Sequence, residues 1–209
     1  MKTFLTALAL AVAAPAIASA GTITTGFTGA NGASGNMFDV LIGGSALTVT
    51  DIEVHVDETI DTTLSFWYRE GSYVGFENDG AAWTLLDSAL LSGAGEGSPT
   101  AWDLADLSLD ADTRYAFFIH DSQSAIGYRN QSGEPDAVVA ANGDISIFTG
   151  LGRGQNSSDP FAGGIFQGRA WEGTLNYGLD DVAPVPLPAG LPLMLVGLGA
   201  LGLLRRARG

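Results

Sequence analysis

The stretch LTVTDIEVHV at residues 47–56 decides the fold class. Apolar side chains occupy every second position in two short runs, and such alternation places them on one face of a β-strand. The two runs are Leu47 and Val49, then Ile52, Val54 and Val56. Between them the alternation slips by one residue at Asp51, which predicts a β-bulge because one extra residue restores the apolar face.

The same two-residue period recurs along the chain. Residues 62–69 (TTLSFWYR) place three apolar side chains on one face and Trp67 on the other, and residues 114–120 (RYAFFIH) read as a half-buried strand. Between residues 36 and 178 no stretch has a convincing helical period, and Gly, Asn and Asp turns separate the strands. We therefore expect one all-β domain at residues 37–179, an antiparallel β-sandwich of jelly-roll type, with a barrel as the alternative.

The first 20 residues have the composition of a secretory signal peptide. Lys2 precedes an apolar run at residues 4–17, and Ala18-Ser19-Ala20 is a small-x-small cleavage site for signal peptidase. Residues 21–36 are rich in Gly, Thr, Ser and Asn, so we expect a flexible entry into the domain.

An uncharged apolar tail follows the domain. Residues 182–204 read VAPVPLPAGLPLMLVGLGALGLL, and as a helix they would span roughly 34 Å, enough for a bilayer core. Because prolines restrict the regular helix, we expect a Pro-rich linker at residues 180–190 and a transmembrane helix at residues 191–204. The basic end, residues 205–209, is then cytoplasmic under the positive-inside rule, and the domain faces the other side of the membrane. The stop-transfer residues are Arg205, Arg206 and Arg208.

The tail resembles the VPLPA-CTERM sorting signal, a variant of the PEP-CTERM tail of Gram-negative bacteria. The resemblance rests on Val185, Pro186, Leu187, Pro188 and Ala189, followed by an apolar segment and an arginine cluster. It implies recognition at the inner membrane by an exosortase, which would cut near the Pro-rich motif and release the domain to the envelope or exterior. It also implies a role near exopolysaccharide or biofilm.

The domain itself is similar in texture to an uncharacterised all-β module of exported bacterial proteins. The elements that carry this likeness are Gly71 to Phe76, Trp83-Thr84-Leu85, Asn142-Gly143-Asp144 with Thr149 to Gly152, and Trp171 with Gly173 and Tyr177. No activity comes with this likeness.

The charge distribution argues against nucleic acid as a partner. Five arginines and no lysine stand against all 23 carboxylates between the two terminal segments, which gives this part a net charge of −18. Such a surface repels nucleic acid and anionic polymers, and the chain has no basic patch or phosphate-binding loop. With no cysteine, the domain has neither disulfides nor thiolate chemistry.

Catalytic and metal-binding patterns are weak. His120-Asp121-Ser122 places the residue types of a hydrolase triad side by side, but strand neighbours point to opposite faces, so a strand end and a turn explain all three. The two histidines lie far apart, which argues against zinc. A calcium site is the remaining metal hypothesis, and its ligands would be Asp103, Asp106, Asp110 and Asp112.

Aromatic residues suggest a sugar platform. Trp67 lies out of phase with its strand's apolar face, and Tyr73 and Phe76 lie in a glycine-flanked loop, so these three are the predicted stacking residues. The first functional hypothesis is a non-enzymatic exported protein of the envelope or matrix, structural or adhesive. The alternatives are a carbohydrate-binding module for exopolysaccharide and a secreted hydrolase.

Overall fold

The computed structural model describes residues 19–131, 135–155 and 159–180. The prediction of an all-β, antiparallel fold is confirmed for these residues, which contain fifteen strands, one short 3-10 turn at Gly80–Ala82 and no α-helix. The strands are β1 (Ala20–Thr24), β2 (Asn31–Ala33), β3 (Gly35–Ile42), β4 (Leu47–His55), β5 (Asp61–Glu70), β6 (Thr84–Ser92), β7 (Pro99–Trp102), β8 (Leu107–Leu109), β9 (Arg114–Asp121), β10 (Ile126–Asn130), β11 (Val138–Ala141), β12 (Ile145–Phe148), β13 (Gly150–Arg153), β14 (Ile165–Trp171) and β15 (Gly173–Leu179).

The strands form two antiparallel sheets. The small sheet has the order β1-β15-β4-β7, and β8 also pairs with β4. The large sheet has the order β2-β10-β14-β13-β3-β9-β5-β6, and β12 joins it beside β3 and carries β11. The chain crosses between the sheets repeatedly, because β1, β4, β7, β8 and β15 belong to the small sheet and the other strands to the large one.

The predicted bulge lies in β4. Asn176 of β15 pairs with Asp51, but the next residue, Tyr177, pairs with Val49, so Thr50 is the extra residue. Both apolar runs of β4 therefore face the core, and their side chains are fully buried.

Both sheets contribute to one hydrophobic core. Trp171 of the large sheet stacks on Phe38 with ring centroids 4.7 Å apart, and the ring of Phe117 lies 5.0 Å from that of Phe66. The small sheet adds the aliphatic side chains of β4 and Trp102 to the same cluster. Burial of this apolar area is the main stabilising term of the fold.

A second cluster covers the opposite face of the large sheet. Phe118 follows Phe117 on β9 and therefore points the other way, where it packs against Phe161 and Trp83. The loops around Tyr73 and Phe161 cover this face. The middle of the large sheet is thus buried on both sides.

The prediction of a flexible entry at residues 21–36 is wrong, because these residues include most of β1 and all of β2. Pairing of β1 with the last strand outweighs its turn-rich composition, and Ile23 reaches the core with 5 % exposure. A β-carbon at Gly21 would lie 2.4 Å from the ring of Tyr177, so the tyrosine ring needs glycine at this position. In the part of the chain that the structure describes, β structure begins at Ala20, ahead of the predicted start at residue 37.

The β14 strand offers a direct test of where the stability lies. We expect Trp171→Ala to lower the free energy of unfolding by about 3–5 kcal/mol, because it opens a cavity beside Phe38. Phe166→Ala, on the same strand and 49 % exposed, is the matched control and should change it by about 0.5 kcal/mol or less. Denaturant unfolding of the full chain measures both, and equal losses would contradict this assignment of the core.

Candidate functional site

The sorting residues lie outside the described part of the chain. This applies to the motif Val185, Pro186, Leu187, Pro188 and Ala189, to the stop-transfer residues Arg205, Arg206 and Arg208, and to most of the predicted signal peptide. Within the ranges that the structure describes, no helix is long and apolar enough to cross a membrane.

The predicted sugar platform does not form. Trp67 is half-buried and meets the ring of Phe161 edge-on at 5.2 Å, and Tyr73 is only 1 % exposed. Phe76 keeps 37 % exposure, but the guanidinium of Arg69 lies 3.6 Å from its ring centroid. The loop folds back onto the large sheet, where the amide of Tyr73 donates to Asp39 at 3.0 Å, and this contact removes the expected exposure.

The predicted calcium ligands do not converge. Asp103, Asp106, Asp110 and Asp112 are all exposed. Most of them alternate with buried core residues such as Leu107 and Leu109, so they form the solvent side of a strand-and-turn segment. In the described ranges, no group of three or more His, Asp or Glu side chains is placed to hold a metal ion.

The triad-like run serves the fold. One oxygen of Asp121 accepts from the amide of Ala125 at 2.5 Å and the other accepts from the hydroxyl of Thr62, so the carboxylate fastens the turn after β9. His120 is buried on the face of the second cluster, beside the ring of Phe118. These contacts agree with the interpretation of His120-Asp121-Ser122 as the end of a strand followed by a turn.

A buried carboxylate occupies the corner between the two sheets. Glu172 is the single residue between β14 of the large sheet and β15 of the small sheet, and it is fully buried. One of its oxygens accepts from His55 Nδ1 at 2.9 Å and from the amide of Gly29 at 2.7 Å. The other accepts from Arg129 at 3.3 Å and from the amide and hydroxyl of Thr28.

His55 extends this network to a further connection. Its Nε2 accepts from the amide of Gly97 at 3.0 Å, so the ring must carry its proton on Nδ1, where it donates to Glu172. A β-carbon at Gly127 would lie 2.3 Å from His55 Nδ1, which shows how closely the strand β10 packs on the ring. The buried pair of His55 and Glu172 therefore connects three places where the chain crosses between the sheets. These are residues 25–30, residues 93–98 and residue 172.

A second site is a surface cavity of about 280 Å³, here named the Tyr128 groove. Its lining residues are Gly32, Ala33, Ser34, Ser124, Tyr128, Gly154, Gln155, Phe166 and Arg169. Tyr128 pairs with Trp171 and Ala33 pairs with Ile126, and both partners belong to the core. Because directly opposed residues share a face, the groove lies on the core side of the large sheet, at its β2 end.

Sequence reasoning missed both features. The sequence assigned no role to Glu172, which lies between Trp171 and Gly173. His55 was only one of the polar positions in the alternating strand at residues 47–56. The one available signal was that His55 stands between two valines and that Glu172 directly follows Trp171. The groove collects residues from six segments, so no local pattern could have predicted it.

Comparison with protein-family models and with curated proteins finds no match to this chain.

The corner network predicts a large effect from a small change. Both oxygens of Glu172 accept hydrogen bonds from donors of the fold. Glu172→Gln replaces one oxygen with an NH₂ group, which is itself a donor. In either orientation of the amide, this NH₂ group would face another donor. We expect a loss of about 1–3 kcal/mol in unfolding free energy, as for leaving a buried donor without an acceptor. Glu58→Gln, at an exposed glutamate, is the control and should cost about 0.5 kcal/mol or less. Calorimetric unfolding distinguishes the two, and a wild-type melting temperature for Glu172→Gln would contradict the network.

The burial of His120 predicts that the free energy of unfolding decreases in acid. Burial lowers the pKa of His120 below its ordinary value of 6.5, and Arg153 lowers it further, against the opposing effect of Asp121 and Asp159. The unfolded chain therefore binds the proton first, so this contribution is complete above pH 6.5 and is lost as the pH falls.

We expect the stability of the wild type relative to His120→Gln to decrease between pH 7 and pH 5. Urea unfolding at each pH measures this difference. A difference that stays constant, or that grows in acid, would show that His120 is not held neutral by the fold.

Proposed function

We propose that this chain is an exported bacterial protein of the cell envelope or extracellular matrix, sorted by an exosortase-type enzyme and acting structurally or adhesively rather than as an enzyme. Signal peptidase and the exosortase would process it at the inner membrane. The body between the two signals would form a β-sandwich of jelly-roll type, a proposal supported by the core that its two sheets share.

The observation that carries the proposal is the agreement of boundaries. Among the described residues, the first strand begins at Ala20, the last residue of the predicted signal peptide, and the last strand ends at Leu179, just before the predicted linker. Ala20 pairs with Gly178, so the chain enters and leaves the body at adjacent positions. A body whose strands fit between two processing sites is what a sorted cargo domain requires, since both cuts would spare its core.

The use of polar residues supports a structural role. Asp121 and Glu172 are engaged by donors of the fold itself. The stability of the body rests on two apolar clusters that bury both faces of the large sheet. A dense, disulfide-free core under an acidic surface suits a protein that must stay folded and soluble outside the cell.

Mass spectrometry of the chain from fractionated Gram-negative cells that carry an exosortase tests the proposal. We expect an exported form that begins near Gly21 and ends within residues 182–190. The double variant Pro186→Ala with Pro188→Ala should accumulate as the membrane-bound precursor, because a helix extended through the motif withdraws the open backbone that a protease cleft needs. Pro184→Ala, just outside the motif, is the matched control and should be processed like the wild type.

Two outcomes contradict the proposal. One is recovery of the intact chain, both ends included, from the cytosol. The other is equal processing of the motif variant and the control, which would leave the chain as an exported protein without motif-directed sorting.

A further inference from the structure

We infer that the Tyr128 groove binds a carbohydrate segment and anchors it through a carboxylated sugar unit. This site goes beyond the proposed function, and it stands on residues that the sequence did not identify. The cavity of about 280 Å³ is slightly smaller than typical small-ligand pockets of roughly 300–1,000 Å³, so it suits one sugar ring with its substituents.

Aromatic faces provide the apolar part of the groove. Phe166 is 49 % exposed, and the half-buried ring of Tyr128 lines the same cavity. A β-carbon at Gly154 would lie 3.3 Å from the Phe166 ring, so the glycine leaves space for the ring to lie along the strand. Such exposed aromatic side chains supply stacking surface for the C–H face of a sugar.

Arg169 is fixed in position at the same wall. Its guanidinium lies 5.3 Å from the ring centroid of Tyr128, and its Nη1 donates to the carbonyls of Gln167 and Gly168. A β-carbon at Gly152 would lie 3.3 Å from Arg169 Cγ, so a second glycine of β13 provides the floor for this side chain. Arg169 Nε is buried without a hydrogen-bond partner among the described residues, so this guanidinium keeps an unsatisfied donor beside the groove.

The polar lining is rich in donors and contains no carboxylate. Gln155, the hydroxyl pair of Ser34 and Ser124 (2.6 Å apart) and Arg169 face the cavity, and none of its lining residues is Asp or Glu. In a segment with 23 carboxylates and five arginines, this lining differs from the rest of the surface, and the carboxylate of Asp57 lies beside it, against Gly32. The guanidinium can give a sugar carboxylate a charge-assisted hydrogen bond, and the serine hydroxyls and the Gln155 amide can bond to sugar hydroxyls.

Long-range charge does not prevent this contact. The net charge of −18 repels an anionic chain at a distance, but salt screens that repulsion beyond about 8 Å at physiological ionic strength. The pairing with Arg169 acts at hydrogen-bond distance and is screened less. We therefore expect weak binding that depends on this one arginine.

Isothermal titration calorimetry of the full chain in a mild non-ionic detergent tests the inference. The probe is a trisaccharide of galacturonic acid, and its fully methyl-esterified form is the matched ligand that lacks the charges. We expect the acidic trisaccharide to bind at least tenfold more tightly than the ester. Arg169→Gln should remove this preference, and Phe166→Ala should weaken both ligands while leaving stability unchanged.

Two further variants control for position. Arg69→Gln and Phe76→Ala alter an arginine–phenylalanine contact outside the groove, and both should bind like the wild type. Equal affinity for the acid and the ester, no binding of either, or loss of binding in these controls would each overturn the inference. The export experiment is unaffected by any of these results, so the two proposals fail separately.

Discussion

The two sheets depend on the buried carboxylate at their corner. Glu172 alone connects β14 of the large sheet to β15 of the small sheet. Its oxygens accept hydrogen bonds from His55, Arg129 and the amide of Gly29. A carboxylate removed from water must recover that solvation from donors, and these donors come from different crossings of the chain. The apolar core makes the sheets associate, whereas this network specifies how their ends connect. The position of the Tyr128 groove follows from it, since Tyr128 adjoins Arg129 and pairs with Trp171.

Alternation in the sequence predicts the class of fold and even the bulge at Thr50–Asp51, because side-chain period and burial are local properties of a strand. It fails at residues 21–36, where main-chain pairing with β15 makes a strand out of turn-rich composition. The sugar-stacking and calcium sites were predicted less well than the fold, for the same physical reason. Tyr73 is buried by a loop that folds back to Asp39, and the aspartates near β8 face solvent separately. Which side chains meet is a property of long-range contacts, and no local pattern records them.

The groove and the sorting signals describe one consistent molecule. The proposed export would place the body among the polymers of the envelope, and the proposed binding at the groove would give its acidic surface a defined contact with them. Two of the aromatic residues that the sequence favoured for this purpose, Trp67 and Tyr73, instead pack in the second cluster. Stacking residues are better sought where glycines on a neighbouring strand leave a ring uncovered, as at Phe166.

The protonation of His55 measures the corner network most directly. The chain has two histidines, so nitrogen-15 NMR of the imidazoles, with His120→Gln to assign the signals, isolates this ring in the full chain. The structure predicts a proton fixed on Nδ1, slow to exchange with solvent, and an Nε2 that accepts from Gly97. A proton on Nε2, or a ring that averages between tautomers and exchanges rapidly, would show that Glu172 does not hold the two sheets together.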